Sequence, residues 1–169
     1  MKQLLMFILV AIPFFCNCQN LKALDTKNGF RDMQFGDSDS KFNDLVVDAY
    51  SSDSLSIFCR RTGDKLTIGA SEVSIIYVFY KSQLKNVVIK TKGLKNSRAL
   101  LDALQEMYGK GRQPNEYIEE YYWWGKKVTL DYDENSISGD AKVFITSKEI
   151  SGKQDLDSKE KAKEAKNDF

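Results

Sequence analysis

The chain has 169 residues, 42% of them apolar and 12% aromatic, the composition of a folded globular protein with room for one domain. Its 25 basic and 24 acidic side chains leave a formal net charge of +1, which argues against a nucleic-acid partner, since phosphate binding draws on a clear excess of Lys and Arg. Histidine is absent, so Ser-His-Asp and Cys-His nucleophile systems in their usual form, histidine-bearing zinc sites and imidazole acid–base work near neutral pH are excluded.

The chain opens with Lys2, an almost unbroken apolar run from Leu4 to Phe15, and then Cys16-Asn17-Cys18-Gln19. A basic start, an apolar stretch of about 7–15 residues and small residues at a cleavage point are the plan of a bacterial secretory signal. The run falls short of the roughly 20 apolar residues of a membrane-spanning helix, and Pro13 lies near its end. Residues 1–18 are therefore expected to be a signal peptide cut after Cys18, and the protein to be exported to the periplasm or beyond. The alternative is lipidation of Cys18, or of Cys16, which would tether the domain to the outer membrane; a membrane partner is expected only in that case. Cys59 is then the one cysteine of the folded part, so disulfides do not staple the domain and an apolar core must hold it.

Residues 19–28 read as a flexible leader. Gly29 to Gly36 alternates apolar and polar residues as a short edge strand does. Asp37-Ser38-Asp39-Ser40 offers N-caps, and Phe42, Leu45, Val46 and Ala49 follow at helical spacing, so a short amphipathic helix is expected over 40–49. Leu55 to Arg60 is a strand that places Cys59 on the face of Leu55 and Ile57. Leu66 to Ser71 is a short irregular strand or loop. Val73 to Tyr80, rich in β-branched and aromatic residues, is the strongest strand, central and covered by a helix, with Leu84 to Lys90 as its hairpin partner. Asn96 or Ser97 caps a second helix with Leu100, Leu101, Leu104, Met107 and Tyr108 on its buried stripe and Gly109 at its end. Strands follow over 116–124, 127–133 and 142–147. The tail, 151–169, interleaves both charges without an apolar face and reads as a disordered, solvated appendage. The expected fold is α+β: residues 29–150 form one antiparallel sheet of about five to six strands with two helices packed on one face.

Few constellations carry chemistry. Asp131-Tyr132-Asp133-Glu134-Asn135 begins like a calcium loop, but Ser136 stands where the loop needs glycine and Lys142 where it needs a bidentate glutamate. Gly109-Lys110-Gly111-Arg112 follows a helix where a phosphate cradle would precede one. No cofactor or metal is expected. The aromatic cluster is the best candidate binding site: Tyr117, Tyr121 and Trp123 share one strand face, Tyr122 and Trp124 the other. One set covers the core and the other faces solvent or a partner, and exposed Tyr and Trp make good anchors. The function these residues point to is a non-enzymatic binding or interaction domain of the cell envelope, with an envelope protein or glycan as partner. The alternatives are a small hydrolase built on carboxylates or tyrosine, and a lipid-anchored envelope assembly factor.

The run Asn28-Gly-Phe-Arg-Asp-Met-Gln-Phe-Gly36, Tyr77-Val-Phe-Tyr80 with Leu84, Tyr108-Gly109, and the Tyr-Trp-Trp-Gly-Lys-Lys hairpin with Asp131-Tyr132-Asp133 resemble small exported bacterial proteins of unknown function, over roughly Gly29 to Ile150. More distantly the layout is similar to the helix-plus-antiparallel-sheet fold of the outer-membrane assembly lipoprotein family and of β-lactamase inhibitor proteins. The resemblance implies a fold and carries no function with it.

The N-terminal reading predicts that the intact mass of protein recovered from expressing cells corresponds to a chain starting at Gln19. A diacylglyceryl group on Cys18, seen in the same spectrum, would replace the soluble form with a tethered one.

Overall fold

The computed structural model describes residues 19–51 and 55–165. The signal reading, with Cys16 and Cys18, lies outside the described residues. The elements in chain order are α1 (Leu21–Lys27), β1 (Gly29–Phe30), β2 (Met33–Gln34), a 3-10 turn (Asp39–Lys41), β3 (Leu45–Tyr50), β4 (Ser56–Arg61), β5 (Thr67–Ile68), β6 (Ser71–Glu72), β7 (Ser74–Tyr80), β8 (Gln83–Lys90), α2 (Gly93–Tyr108), β9 (Glu120–Trp124), β10 (Val128–Glu134), β11 (Ala141–Ser147) and α3 (Lys148–Ala165). The fold is α+β. Its main sheet has seven strands in the order β3-β4-β7-β8-β11-β10-β9, every neighbour antiparallel, and β1-β2 and β5-β6 form two small ribbons beside it. The described sheet is thus larger than the five or six strands expected, and the described residues form three α-helices where two were expected.

Strand alternation sorts the main sheet into two faces. Tyr77, Val87, Ile145, Leu130 and Trp123 lie opposite one another across five strands, as do Ile75, Ile89, Val143, Tyr132 and Tyr121. These two rows are buried together with Leu24 of α1 and Leu100, Leu101, Leu104 and Tyr108 of α2, and they form the core. Fully burying a large apolar side chain is worth about 1.5–3 kcal/mol, and this face supplies most of the fold's large buried side chains. The opposite face carries the rows Ile76-Val88-Phe144-Asp131-Tyr122 and Val78-Asn86-Thr146-Thr129-Trp124. α3 packs at the β7–β8 end of that second face: Tyr80, one step past core-facing Phe79, donates its hydroxyl to Asp157 at 2.6 Å, and Lys85 reaches Gln154 at 2.8 Å. The helices therefore occupy both faces, not one.

Three expectations about local structure are corrected. Leu45–Tyr50 is the edge strand β3, paired with β4 through Leu45↔Arg61, Val46↔Arg60 and Val47↔Cys59. The β-branched pair Val46-Val47 favours a strand, and the open edge of β4 offers backbone partners that a short helix could not match. A bulge at Asp48, with Asp48 ion-paired to Arg60 at 2.6 Å, blunts the edge. Of the expected cap, Ser38 and Asp39 accept from the Ser40 N–H and initiate only the 3-10 turn. The tail is helical over Lys148–Ala165, with Ile150 buried.

The third correction concerns residues 19–28, which are not a loose leader. Asn20 caps α1 by accepting from Ala23 N–H at 3.2 Å, and its own N–H donates to Tyr108 O at 2.7 Å. The Asp25 carboxylate accepts the backbone N–H groups of Lys126, Lys127 and Val128 at 2.7, 2.8 and 3.1 Å, clasping the turn between β9 and β10. Burial would raise the Asp25 pKa, but the three N–H donors together outweigh it and hold the carboxyl below its usual range. An acid with a depressed folded pKa stabilises the fold above its unfolded value of 3.8 and loses that contribution as pH falls through the folded one. D25A is therefore predicted to lower the unfolding free energy by about 1–3 kcal/mol at neutral pH, read by urea denaturation, and the gap to wild type should narrow on acidification below pH 3.8.

Candidate functional site

The core face takes two of the five aromatic candidates. Trp123 is wholly buried; its Nε1 donates to Gly109 O at 2.8 Å, and its ring lies so close to Gly111 that a Cβ there would come within 2.8 Å of it. Tyr121 is 8% exposed, donates to Glu119 at 2.8 Å and meets the Tyr132 ring edge-on. Tyr117 is 87% exposed, but it belongs to a turn initiated by Asn115 and shares no strand face with either pair. Only Tyr122 and Trp124 stand on the outward face. The alternation read from the sequence is right for 121–124, and the buried set is the one containing Trp123.

Around Tyr122 and Trp124 the structure assembles groups from three segments. The two rings lie 5.3 Å apart at 52°. Arg112, from the stretch after α2, pairs its backbone with Tyr122 through two hydrogen bonds of 2.9 Å and holds its guanidinium over the Trp124 ring at 5.5 Å. This bridge, together with Gln19 donating from Nε2 to Tyr122 O at 2.8 Å, occupies the outer edge of β9. From the next strand Asp131, directly opposite Tyr122, accepts from Trp124 Nε1 at 3.0 Å. Phe144 lies on the other side of Asp131. Tyr122 also donates to Glu120 at 2.8 Å, which raises its pKa.

Asp131 was met in the sequence as the start of a calcium-like run and Arg112 as the end of a glycine-rich one, and neither was assigned to the aromatic site. For Asp131 part of the signal was present: alternation puts it on the face of Tyr122, but a turn at Gly125-Lys126 would set it opposite Glu120, and it is the observed turn at Lys126-Lys127 that sets it opposite Tyr122. For Arg112 there was none, because an irregular segment docks it from outside the sheet.

Asp131 is the electrostatic singularity of this face. Burial against the aromatic rings raises its carboxyl pKa, and the Trp124 N–H offsets only part of that. No ion pair to it is found among the described residues. The site thus presents flat aromatic surface, one uncompensated acceptor carboxylate and one exposed cation, a set suited to gripping a ligand.

The other ionisable clusters are closed on themselves. Arg98 bridges Glu119 and Glu134 at 3.0 and 2.9 Å; Tyr121 and Tyr132 donate to the same two carboxylates, at 2.8 and 2.6 Å. Arg31 and the Tyr77 hydroxyl both satisfy Asp64, and Arg61 joins Asp32 and Asp44 at 2.6 and 2.8 Å. Cys59 is buried, free and pushed upward in pKa by that burial, which disfavours the reactive thiolate. Asn135, the last residue of the calcium-like run, accepts from the N–H groups of Ile137 and Ser138 at 2.9 Å and shapes the β10–β11 loop. These clusters tie elements together.

Nothing known matches the chain: no protein-family model, no curated protein and no solved structure. Its function has to be argued from its own residues.

Asp131 yields a test of the site's electrostatics. An acid whose folded pKa is raised costs stability wherever it is charged, and the cost vanishes below the unfolded value of 3.8, where the group is neutral in both states. D131N keeps an oxygen for Trp124 Nε1 and removes the charge. It is expected to unfold at higher urea than wild type at neutral pH, with the difference closing as pH falls toward 3.8.

Proposed function

We propose that this protein is an exported, non-enzymatic binding domain of the bacterial cell envelope that holds its partner, an envelope protein or glycan, on the outward face of β9 and β10, with Trp124 as the anchor and Tyr122, Arg112 and Asp131 as its neighbours. The observation that carries the reading is Trp124 itself. A tryptophan 49% exposed on a sheet face, oriented by a hydrogen bond from its indole and by a guanidinium over its ring, is held ready at little further entropic cost. Such pre-ordered aromatic anchors dominate binding energy. Export is supported by the basic start, apolar run and small residues of 1–18.

The clusters that an enzyme would use argue the other way. Glu119 and Glu134 share one arginine, as Asp32 and Asp44 do, and both glutamates accept from tyrosine hydroxyls. A general acid or base needs a proton and a lone pair within reach of substrate, and these groups spend theirs on one another.

Retention of an envelope partner on immobilised protein tests the reading. W124A is expected to weaken it by about 2 kcal/mol or more, roughly thirtyfold, with the urea midpoint little changed. W123A, which empties a core site, should instead cost about 3–5 kcal/mol of stability. If W124A and Y122A both retain every partner with wild-type affinity, the outward aromatic face is not the binding surface.

A further inference from the structure

The chain without residues 1–18 is nearly neutral in total, and several of its exposed cations gather at one corner. Beside Trp124 lies a cavity of about 880 Å³ lined by Leu21, Lys22, Asp25, Trp124, Lys126 and Lys127 among others. Lys126 and Lys127 also line the adjoining cavity of about 650 Å³, with Lys148. Lys22, Arg112, Lys126, Lys127 and Lys148 are all exposed, and none forms an ion pair among the described residues. The acid at the centre of the first cavity, Asp25, is committed to three backbone N–H groups. In the second, Asp37 pairs with Lys41 and Glu149 with Lys153. The corner therefore presents five cations without an ion pair, Lys148 with its ammonium donating to Gly125 O at 2.7 Å, around one half-exposed indole whose N–H is held by the Asp131 carboxylate at 3.0 Å. Cationic side chains flanking an interfacial tryptophan are what an anionic lipid surface selects.

The course of the chain places this corner where such a surface would be. Gln19 is pinned to Tyr122 O and Asn20 to Tyr108 O, so the chain enters the domain alongside Trp124 and Arg112. The apolar run ends at Phe15, and the four residue steps from there to Gln19 span at most about 14 Å. In the lipidated alternative, with the anchor on Cys18 one residue before Gln19, the domain meets the membrane with this corner foremost.

We propose that the surface formed by Lys22, Arg112, Trp124, Lys126, Lys127 and Lys148 docks on the anionic headgroups of a membrane leaflet. The lysines meet lipid phosphates as point charges, and Trp124 inserts its indole at headgroup depth. Asp25 gives the patch its shape, because its clasp holds Lys126 and Lys127 beside Lys22. The inference goes beyond the protein or glycan partner proposed above by naming a lipid surface, and rests on that reading for Trp124 as an anchor.

The test is co-sedimentation of the protein, as purified from expressing cells, with vesicles of phosphatidylcholine and with vesicles of equal parts phosphatidylcholine and phosphatidylglycerol. The readout is the ratio of the two partition coefficients, which an acyl anchor alone would leave near one. Wild type is expected to give a ratio well above one that falls as salt is added. In K22Q/K126Q/K127Q the ratio should drop at least about tenfold. Asp25 takes the backbone and not the side chains of Lys126 and Lys127, so the fold is expected to survive, with urea midpoints as the check and K22Q alone as the milder variant. Trp124 emission should shift to the blue on anionic vesicles, and W124F should lose that shift. A wild-type ratio near one, or a ratio unmoved by the lysine changes, overturns the inference. W124A-sensitive retention of an envelope protein alongside a ratio of one would leave the binding domain standing without its membrane.

Discussion

Three backbone N–H groups of the β9–β10 turn converge on the Asp25 carboxylate. Hydrogen bonds to a charged acceptor are worth about 1.5–3 kcal/mol at best and less where the donor is exposed, as those of Lys126 and Lys127 are, so the strength of the clasp lies in one carboxylate gathering three donors of one turn. It joins residues about a hundred positions apart and makes α1 part of the sheet's structure. Gly125 is where the constraint shows most plainly: a Cβ there would run into the Asp25 carboxylate, so the turn closes on the helix only with glycine. With the turn held, the register of β9 against β10 follows, Leu130 opposite Trp123 and Asp131 opposite Tyr122. One tryptophan then points into the core and the next one out. The candidate site is a consequence of that register, since a slip of one residue would exchange the two faces.

Much of the fold was legible because it rests on alternation and on turn residues. β4, β7, β8, β10, β11 and the buried stripe of α2 stand close to where period and composition place them, except that Met107, expected on that stripe, is 59% exposed. What was not legible depends on partners far away in the chain. β3 carries a helical spacing at 42, 45, 46 and 49, yet the open edge of β4 decides its conformation. α2 begins at Gly93, ahead of Asn96 and Ser97, because Asp140 from the β10–β11 loop accepts the Gly93 N–H at 2.9 Å. Ser97, the expected cap, is buried instead between Thr91 and Gly139 O, at 2.7 and 2.6 Å. A cap supplied across forty-seven residues leaves no local signature. α1 was hidden for the same reason: its seven residues are too few to be stable alone, and Leu24 and Asp25 become informative only when the sheet arrives.

The candidate site divides in the same way. That Trp123 and Trp124 face opposite ways is a property of any strand. Which one is bare depends on where α1, α2 and α3 lie, and α3 in particular has little apolar surface to announce its position. It meets the sheet largely through polar contacts, Asp157 with Tyr80 and Lys81, Gln154 with Lys85, and it does so over β7 and β8. The β9–β10 half of that face is left to Tyr122, Trp124 and Asp131. The position of a weakly amphipathic helix thus decides where the protein has a surface to offer.

The contrast among the carboxylates carries the functional argument furthest. Glu119, Glu134, Asp64, Asp32 and Asp44 each have an arginine, and Asp25 has three amides; for these groups the charged form is compensated inside the molecule. Asp131 has one indole N–H, and burial disfavours its charge. A half-buried acid without a cation is an energetic cost that stability alone would not retain, since an uncharged residue of similar shape would relieve it. On the other side of Trp124 the reverse holds, where Lys22, Lys126 and Lys127 have no acids. A half-buried carboxylate held by one indole N–H, with exposed cations on the other side of the same ring, makes Trp124 the point of this surface where charge and aromatic area meet.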